Sequence, residues 1–239
     1  MPETRRGFPK VEHLPHWKRR LALGAALALL IACGKPLTGS GYLGAYADMK
    51  ANRYLEAESH LPWLRIDRDA VLLIQPVQAY FYRGRRPVAF PRLAQAFQEA
   101  LAREIGKTQL FARVEEGSSL MIPAYADWGL HAVLTEVDLG LPESNLEPGV
   151  SYRGARRIGV EGKISDLRGE RTLFKFKDAR VAPPPRGLNP TEAEVEAELV
   201  RDLNAIARGV ADTMRQIHAE SNQVKPPEAP PPADATPAP

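Results

Sequence analysis

A single cysteine, Cys33, occurs in the 239 residues, and a lone thiol excludes an intrachain disulfide framework. Long apolar runs are also missing. Leu21–Ala32 has 12 residues without a charge or strong polar group, short of the roughly 20 that a bilayer-spanning helix needs. Apolar residues make up 44% and charged residues 26%, which excludes a wholly disordered chain and a multi-span membrane protein. There is no HExxH, CxxC, P-loop, G-x-G-x-x-G or G-x-S-x-G pattern, so the local signatures of zinc, nucleotide and nucleophile-elbow chemistry are all lacking. A formal charge of +3 and a pI near 9.0 raise the question of nucleic acid, but most of that charge sits at the N-terminus. Residues 1–32 hold six basic and two acidic side chains, and the remainder carries a net −1. The global-charge argument for nucleic acid therefore fails.

What is present begins with that N-terminus. Arg5, Arg6, Lys10, Lys18, Arg19 and Arg20 precede Leu21–Ala32, and Cys33 follows directly. A basic start and a short apolar run have the pattern of a secretory signal. Leu30-Ile31-Ala32-Cys33 resembles the lipobox of bacterial lipoproteins. The resemblance implies that residues 1–32 are removed and that Cys33 becomes the lipid-modified first residue of the mature chain. Two or more acyl chains anchor a protein stably where one does so only marginally. Gly34, where an Asp would favour inner-membrane retention, implies the outer membrane. The membrane is thus the first expected partner, through a covalent lipid on Cys33 and with no other cofactor.

The other end is Pro-rich. Residues 225–239 hold seven of the 22 prolines and no large apolar side chain, a composition that cannot bury enough surface to fold. Residues 33–62, with Gly34, Gly39, Gly41 and Gly44, have the composition of a lipidated tether that becomes a partly ordered arm. Residues 63–222 remain as one domain, followed by the tail 223–239.

Within that domain, Val71–Ile74 is a buried strand, continued by Val77, Ala79 and Phe81, with Pro76 marking an edge or a bulge. Leu93, Phe97, Leu101 and Ile105 form a helical stripe starting near Pro91, with Gly106 as its stop. Leu110, Ala112 and Val114 alternate as a strand, and another strand covers 130–139. Ile158, Val160, Gly162 and Ile164 alternate with Gly159, Glu161, Lys163 and Ser165 as a half-buried strand. A turn at Asp166–Glu170, with Gly169 free to take positive φ, leads back into Leu173–Ala179. A long helix then carries Val195, Leu199, Leu203, Ile206, Val210, Met214 and Ile217 on one face. Asn189, Pro190 and Glu192 are its expected N-cap, N1 and N3 residues. The fold class is α+β, a mixed sheet of four to five strands with two helices on one face.

Ser40-Gly41-Tyr42-Leu43-Gly44-Ala45-Tyr46-Ala47-Asp48-Met49, the strand from Ala70 to Pro76-Val77, and Gly159-Val160-Glu161-Gly162 with Asp166, Gly169 and Asp178 resemble motifs of a bacterial lipoprotein family, domain of unknown function 3313. The resemblance covers about residues 38–182, departs from the family at Ala45 and in the Pro-rich tail, and implies an outer-membrane lipoprotein without naming an activity.

Candidate chemistry is thin. His60, His131 and His218 have no metal-ligand spacing, so no metal site is expected. Glu115-Glu116 and Ser118-Ser119 have the composition of a solvated strand end and a turn. Two arginine clusters stand out, Arg83, Arg85 and Arg86 after the first strand and Arg153, Arg156 and Arg157 before the fourth. Guanidinium groups grip phosphate or carboxylate bidentately, so each is a candidate contact for an anion or a partner. The expectation is a periplasm-facing, non-enzymatic binding or accessory module of a cell-envelope complex, with no catalytic residues and an envelope protein as partner. Two alternatives carry tests. An envelope hydrolase requires a pocket that gathers His60 or His131 with a serine or carboxylates. A self-assembling structural lipoprotein requires the Val195–Ile217 stripe to lie between subunits.

Overall fold

The computed structural model describes residues 39–62, 64–79, 90–118, 122–138, 141–142, 152–153, 156–183 and 191–223. The signal, Cys33, the Arg83–Arg86 loop, Asn189, Pro190 and the tail beyond Gln223 lie outside the described residues. The elements run β1 (Ala57–His60), β2 (Val71–Ile74), β3 (Gln78–Ala79), α1 (Phe90–Gly106), β4 (Arg113–Glu116), β5 (Trp128–Asp138), β6 (Leu141–Pro142), β7 (Tyr152–Arg153), β8 (Arg156–Asp166), β9 (Arg171–Ala182) and α2 (Glu192–Gln223).

Seven strands make one sheet in the order β1-β9-β8-β5-β2-β4, with β3 also beside β5, while β6 and β7 pair with each other. The β1, β9, β8 and β5 pairings are antiparallel. β2 and β3 run parallel to β5, and β4 runs parallel to β2. The sheet is therefore mixed and the class α+β, as the alternation of elements implies. It is wider than four or five strands because the arm supplies β1 and because Gln78–Ala79 pairs separately. Between Ile74↔Leu130 and Gln78↔Val133 the β2–β3 side advances four residues against three on β5. The extra residue falls at Gln75-Pro76-Val77, where proline has no N–H for the ladder.

One sheet face holds the core. Leu72, Ile74, Leu130, Leu134, Ile158, Val160, Ile164, Phe174 and Phe176 pack there with both helices in a single apolar cluster. The α1 stripe Leu93, Phe97, Leu101 and Ile105 is completely buried, and so are Leu199, Leu203, Ile206 and Val210 of α2. Each such side chain contributes about 1.5–3 kcal/mol relative to exposure. Gln98 of α1 donates through Nε2 to the carbonyls of Ile74 (3.1 Å) and Gly117 (2.8 Å), tying that helix to the ends of β2 and β4.

The element ends differ from expectation in three places. α1 includes Gly106, and the left-handed residue that follows is Gln109, at φ 56°. The Thr108 hydroxyl instead caps the Ile105 carbonyl at 2.6 Å. In the β8–β9 turn the left-handed residue is Glu170, at φ 51°, rather than Gly169. The capping box of α2 is formed by Thr191 and Glu194. The Thr191 N–H (2.8 Å) and hydroxyl (2.9 Å) reach Glu194 Oε2, and the Glu194 N–H reaches Thr191 Oγ1 at 3.3 Å. Three residues separate the partners, so the reciprocal geometry closes there.

Candidate functional site

Alternation along β8 sends Ile158, Val160 and Ile164 to the helices and Glu161 and Lys163 to the opposite face. Glu161 nonetheless has only 1% of its surface exposed. What covers it is the Ser40–Tyr46 segment. Glu161 accepts from the Ser40 N–H at 2.9 Å through Oε1, and through Oε2 from the Ser40 hydroxyl at 2.9 Å and the Tyr46 hydroxyl at 2.6 Å. All three partners are donors, so the carboxylate acts only as an acceptor, and charge-assisted bonds of this kind are the strong ones.

The turn is built to deliver those donors. Gly41 and Gly44 take φ values of 95° and 74°. The Tyr46 hydroxyl, while donating to Glu161, accepts from the N–H groups of Gly41 (3.0 Å) and Leu43 (3.2 Å). The Tyr46 ring lies where a side chain at residue 39 would begin, since a Cβ on Gly39 would stand 1.9 Å from the ring. Burial and then the Glu161 hydrogen bond push the Tyr46 hydroxyl above its usual pKa. Lys163 Nζ lies 5.9 Å from the Tyr42 ring centroid. Together these contacts form a clasp fastening the start of the domain onto the sheet face remote from the helices.

The sequence ranked neither Ser40 nor Glu161 as a site residue. Glu161 occupies a polar position in a half-buried strand, and only its pairing with a segment 121 residues away distinguishes it. The family-like motif at Ser40–Met49 was the available signal, and its structural meaning is this turn.

A second polar group lines a cleft of about 590 Å³ at the β1 edge. Asp48 accepts from Ser59 Oγ at 2.9 Å and Lys175 Nζ at 3.0 Å, and the Lys175 hydrogen bond is the largest influence holding Asp48 below the usual carboxylate range. His60 Nδ1 is 2.9 Å from Glu58 Oε2, a contact that raises the imidazole pKa. Ser59, His60, Glu58 and Asp48 all line this cleft, with Ser59 bonded to Asp48 and His60 to Glu58. His131 sits with Tyr42, Gln75 and Gln78 around a cavity of about 50 Å³, which is water-sized. Burial, then Lys163, lowers its pKa. The β1-edge cleft thus gathers a serine, a histidine and two carboxylates, as the hydrolase alternative requires, while among the described residues no group of three potential metal ligands forms.

The arginines of the second cluster separate. Arg156 turns toward α2 with 8% exposure. Its Nε donates to Asp202 Oδ2 at 2.9 Å and its Nη1 to the Pro183 carbonyl at 2.9 Å and to Glu198. Its donors serve the β8–α2 junction rather than an outside anion. Arg157 pairs with Glu136 at 2.9 Å. Arg153 lies on β7. The Val195–Ile217 stripe is buried within the domain's own core, so it is not available between subunits. No described helix is long and apolar enough to cross a membrane.

No protein family matches the chain, so the likeness to domain of unknown function 3313 rests on the motifs alone. No curated protein matches either. Several solved structures align with part of the chain. A Xanthomonas campestris protein of family DUF330 aligns at TM-score 0.42 and 14% identity over 69% of this chain and 94% of its own. The PelC dodecamer of Paraburkholderia phytofirmans aligns at 0.38 and 11% over 62% and 96%. Lipoprotein GNA1162 of Neisseria meningitidis aligns at 0.33 and 12% over 62% and 99%. At these values none assigns the chain a family or a role.

Proposed function

We propose that the chain is a bacterial lipoprotein of the outer membrane, acylated at Cys33 and facing the periplasm. Its α+β domain serves as a non-enzymatic binding or accessory module of a cell-envelope complex. The observation that carries the reading is the box Leu30-Ile31-Ala32-Cys33 at the end of a short apolar run, behind a basic start. A thiol there is the group that takes a thioether-linked diglyceride. A hydrolase would have its place in the β1-edge cleft, where Ser59 bonds Asp48 and His60 bonds Glu58 rather than each other; the cavity beside His131 is too small for a substrate.

The test compares wild type with Cys33→Ala in the native host, by membrane fractionation and intact mass of the mature N-terminus. Acylated mass on Cys33 in the outer membrane, lost in the variant, is the expected result. An uncleaved, unmodified chain would remove both the address and the function built on it.

A further inference from the structure

The clasp fixes how far the domain can stand from its lipid. Read as a free arm, residues 33–62 would let the domain roam up to about 100 Å from Cys33, at 3.3–3.6 Å per extended residue. Ser40, however, is fastened by its N–H and hydroxyl to Glu161, with Tyr46 adding a third bond. Ser40 lies only seven positions after Cys33, and such a stretch reaches no more than about 25 Å. The fastening point is on the sheet face opposite the helices, because Glu161 alternates with the core residues Val160 and Gly162 on β8.

From this we infer that the open sheet face is the membrane-proximal side of the domain and that α2 faces away from the bilayer. The partner surface is a lipid headgroup layer, and the clasp is the device that presents the domain to it. The inference rests on acylation of Cys33 as proposed above. Strong basic attraction is not needed for it. Lys175 and Lys177 on this face are paired with Asp48 and Glu56, so the covalent tether sets the orientation and electrostatics adds little. The consequence is that the helix side and the sheet edges are the surfaces left open to a further partner.

The test uses full-length acylated protein in vesicles of phosphatidylethanolamine and phosphatidylglycerol containing an acceptor-headgroup lipid. With Cys33 acylated, an introduced cysteine is the one free thiol. Ser165→Cys places a donor dye on the open face, and Arg208→Cys places one on an exposed position of α2. Energy transfer to the headgroups is expected to be about twofold greater from residue 165, whose face is nearer by roughly a helix diameter of 10–12 Å plus the sheet.

Removing the common acceptor with Glu161→Ala releases all three clasp bonds, moves the next fastening point to Asp48, 15 residues from Cys33, and should cut the transfer from residue 165 by about half as the reach doubles. If that variant fails to fold, inserting roughly twenty Gly/Ser residues between Lys35 and Pro36 gives about 25 Å of extra reach with the clasp intact and the same expected loss. Equal or greater transfer from residue 208 in an acylated protein would overturn the orientation and leave the lipoprotein reading standing. A chain lacking acyl mass, and hence failing to float with vesicles, would overturn both.

Discussion

The hydroxyl of Tyr46 donates to Oε2 of Glu161 at 2.6 Å across 115 residues of sequence, and the same oxygen accepts from Ser40. A buried carboxylate in the middle of β8 thus holds the Ser40–Tyr46 turn onto the sheet. The turn's shape, with two left-handed glycines and a ring over Gly39, exists to bring those donors into place. This single relationship converts what composition describes as a tether into part of the folded unit.

Removing one donor should be measurable. Tyr46→Phe is expected to cost about 1.5–3 kcal/mol, the usual contribution of a hydrogen bond to a charged group. Urea unfolding of the soluble domain reads this directly. A change below a few tenths of a kcal/mol would mean that the clasp contributes nothing to the fold.

Gly209 faces the backbone of Tyr54 across the α2 surface. A Cβ there would lie 2.7 Å from the Tyr54 carbonyl oxygen. Gly209→Ala gains up to about 1 kcal/mol of helix preference, yet overpacking against backbone costs about 1–3 kcal/mol. The expected net result is a lower urea midpoint with an unchanged slope. A stabilised variant would show that the 52–56 segment yields freely.

Arg156 is the buried hub between β8 and α2, bonded to Asp202, Glu198 and the Pro183 carbonyl. Arg156→Ala leaves two carboxylates without their common partner and should cost about 3–5 kcal/mol. Arg157→Ala, whose partner Glu136 is also part-exposed, should cost no more than about 1 kcal/mol. Comparable losses from the two would contradict the assignment of Arg156 as the buried member.

Two histidines should titrate on opposite sides of the ordinary value near 6.5. His60, raised by its Glu58 contact, adds stability that is fully present below the unfolded pKa and is lost as pH rises through the folded one. His131, lowered by burial and then by Lys163, adds stability present above the unfolded pKa and lost as pH falls through the folded one. Imidazole proton shifts followed by NMR over pH 5–8 assign each. Identical midpoints would refute both environments.

Much of the fold was legible because burial obeys periodicity. The steps of four in Leu93, Phe97, Leu101 and Ile105, and the two-residue alternation in Ile158–Ile164, each mark a face that must meet another apolar face. Both do so in one core. Termini were less legible. Asn189, Pro190 and Glu192 satisfy the residue preferences of a capping box, while Thr191 and Glu194 satisfy the geometry. Preference constrains which side chains cap, and the point where the chain leaves the sheet sets which turn comes first. Arg156 illustrates the same gap at the candidate site, since three neighbouring arginines look like one patch in a string, whereas Arg153 lies on β7 and Arg156 and Arg157 alternate sides of β8.

By itself the sequence determined the basic and apolar start, the box ending at Cys33, the two helical stripes, the paired long strands and the lack of local catalytic motifs. These are properties of short windows, where spacing alone decides the outcome. Only the tertiary structure decided that Glu161 is buried, that residues 40–46 cover it, that Arg156 is spent on α2, and that Asp48 meets Ser59 and Lys175 at the β1 edge. Each depends on which distant segment arrives at a given face. That is settled by the register of the sheet and the close packing of two helices, neither of which a local pattern encodes.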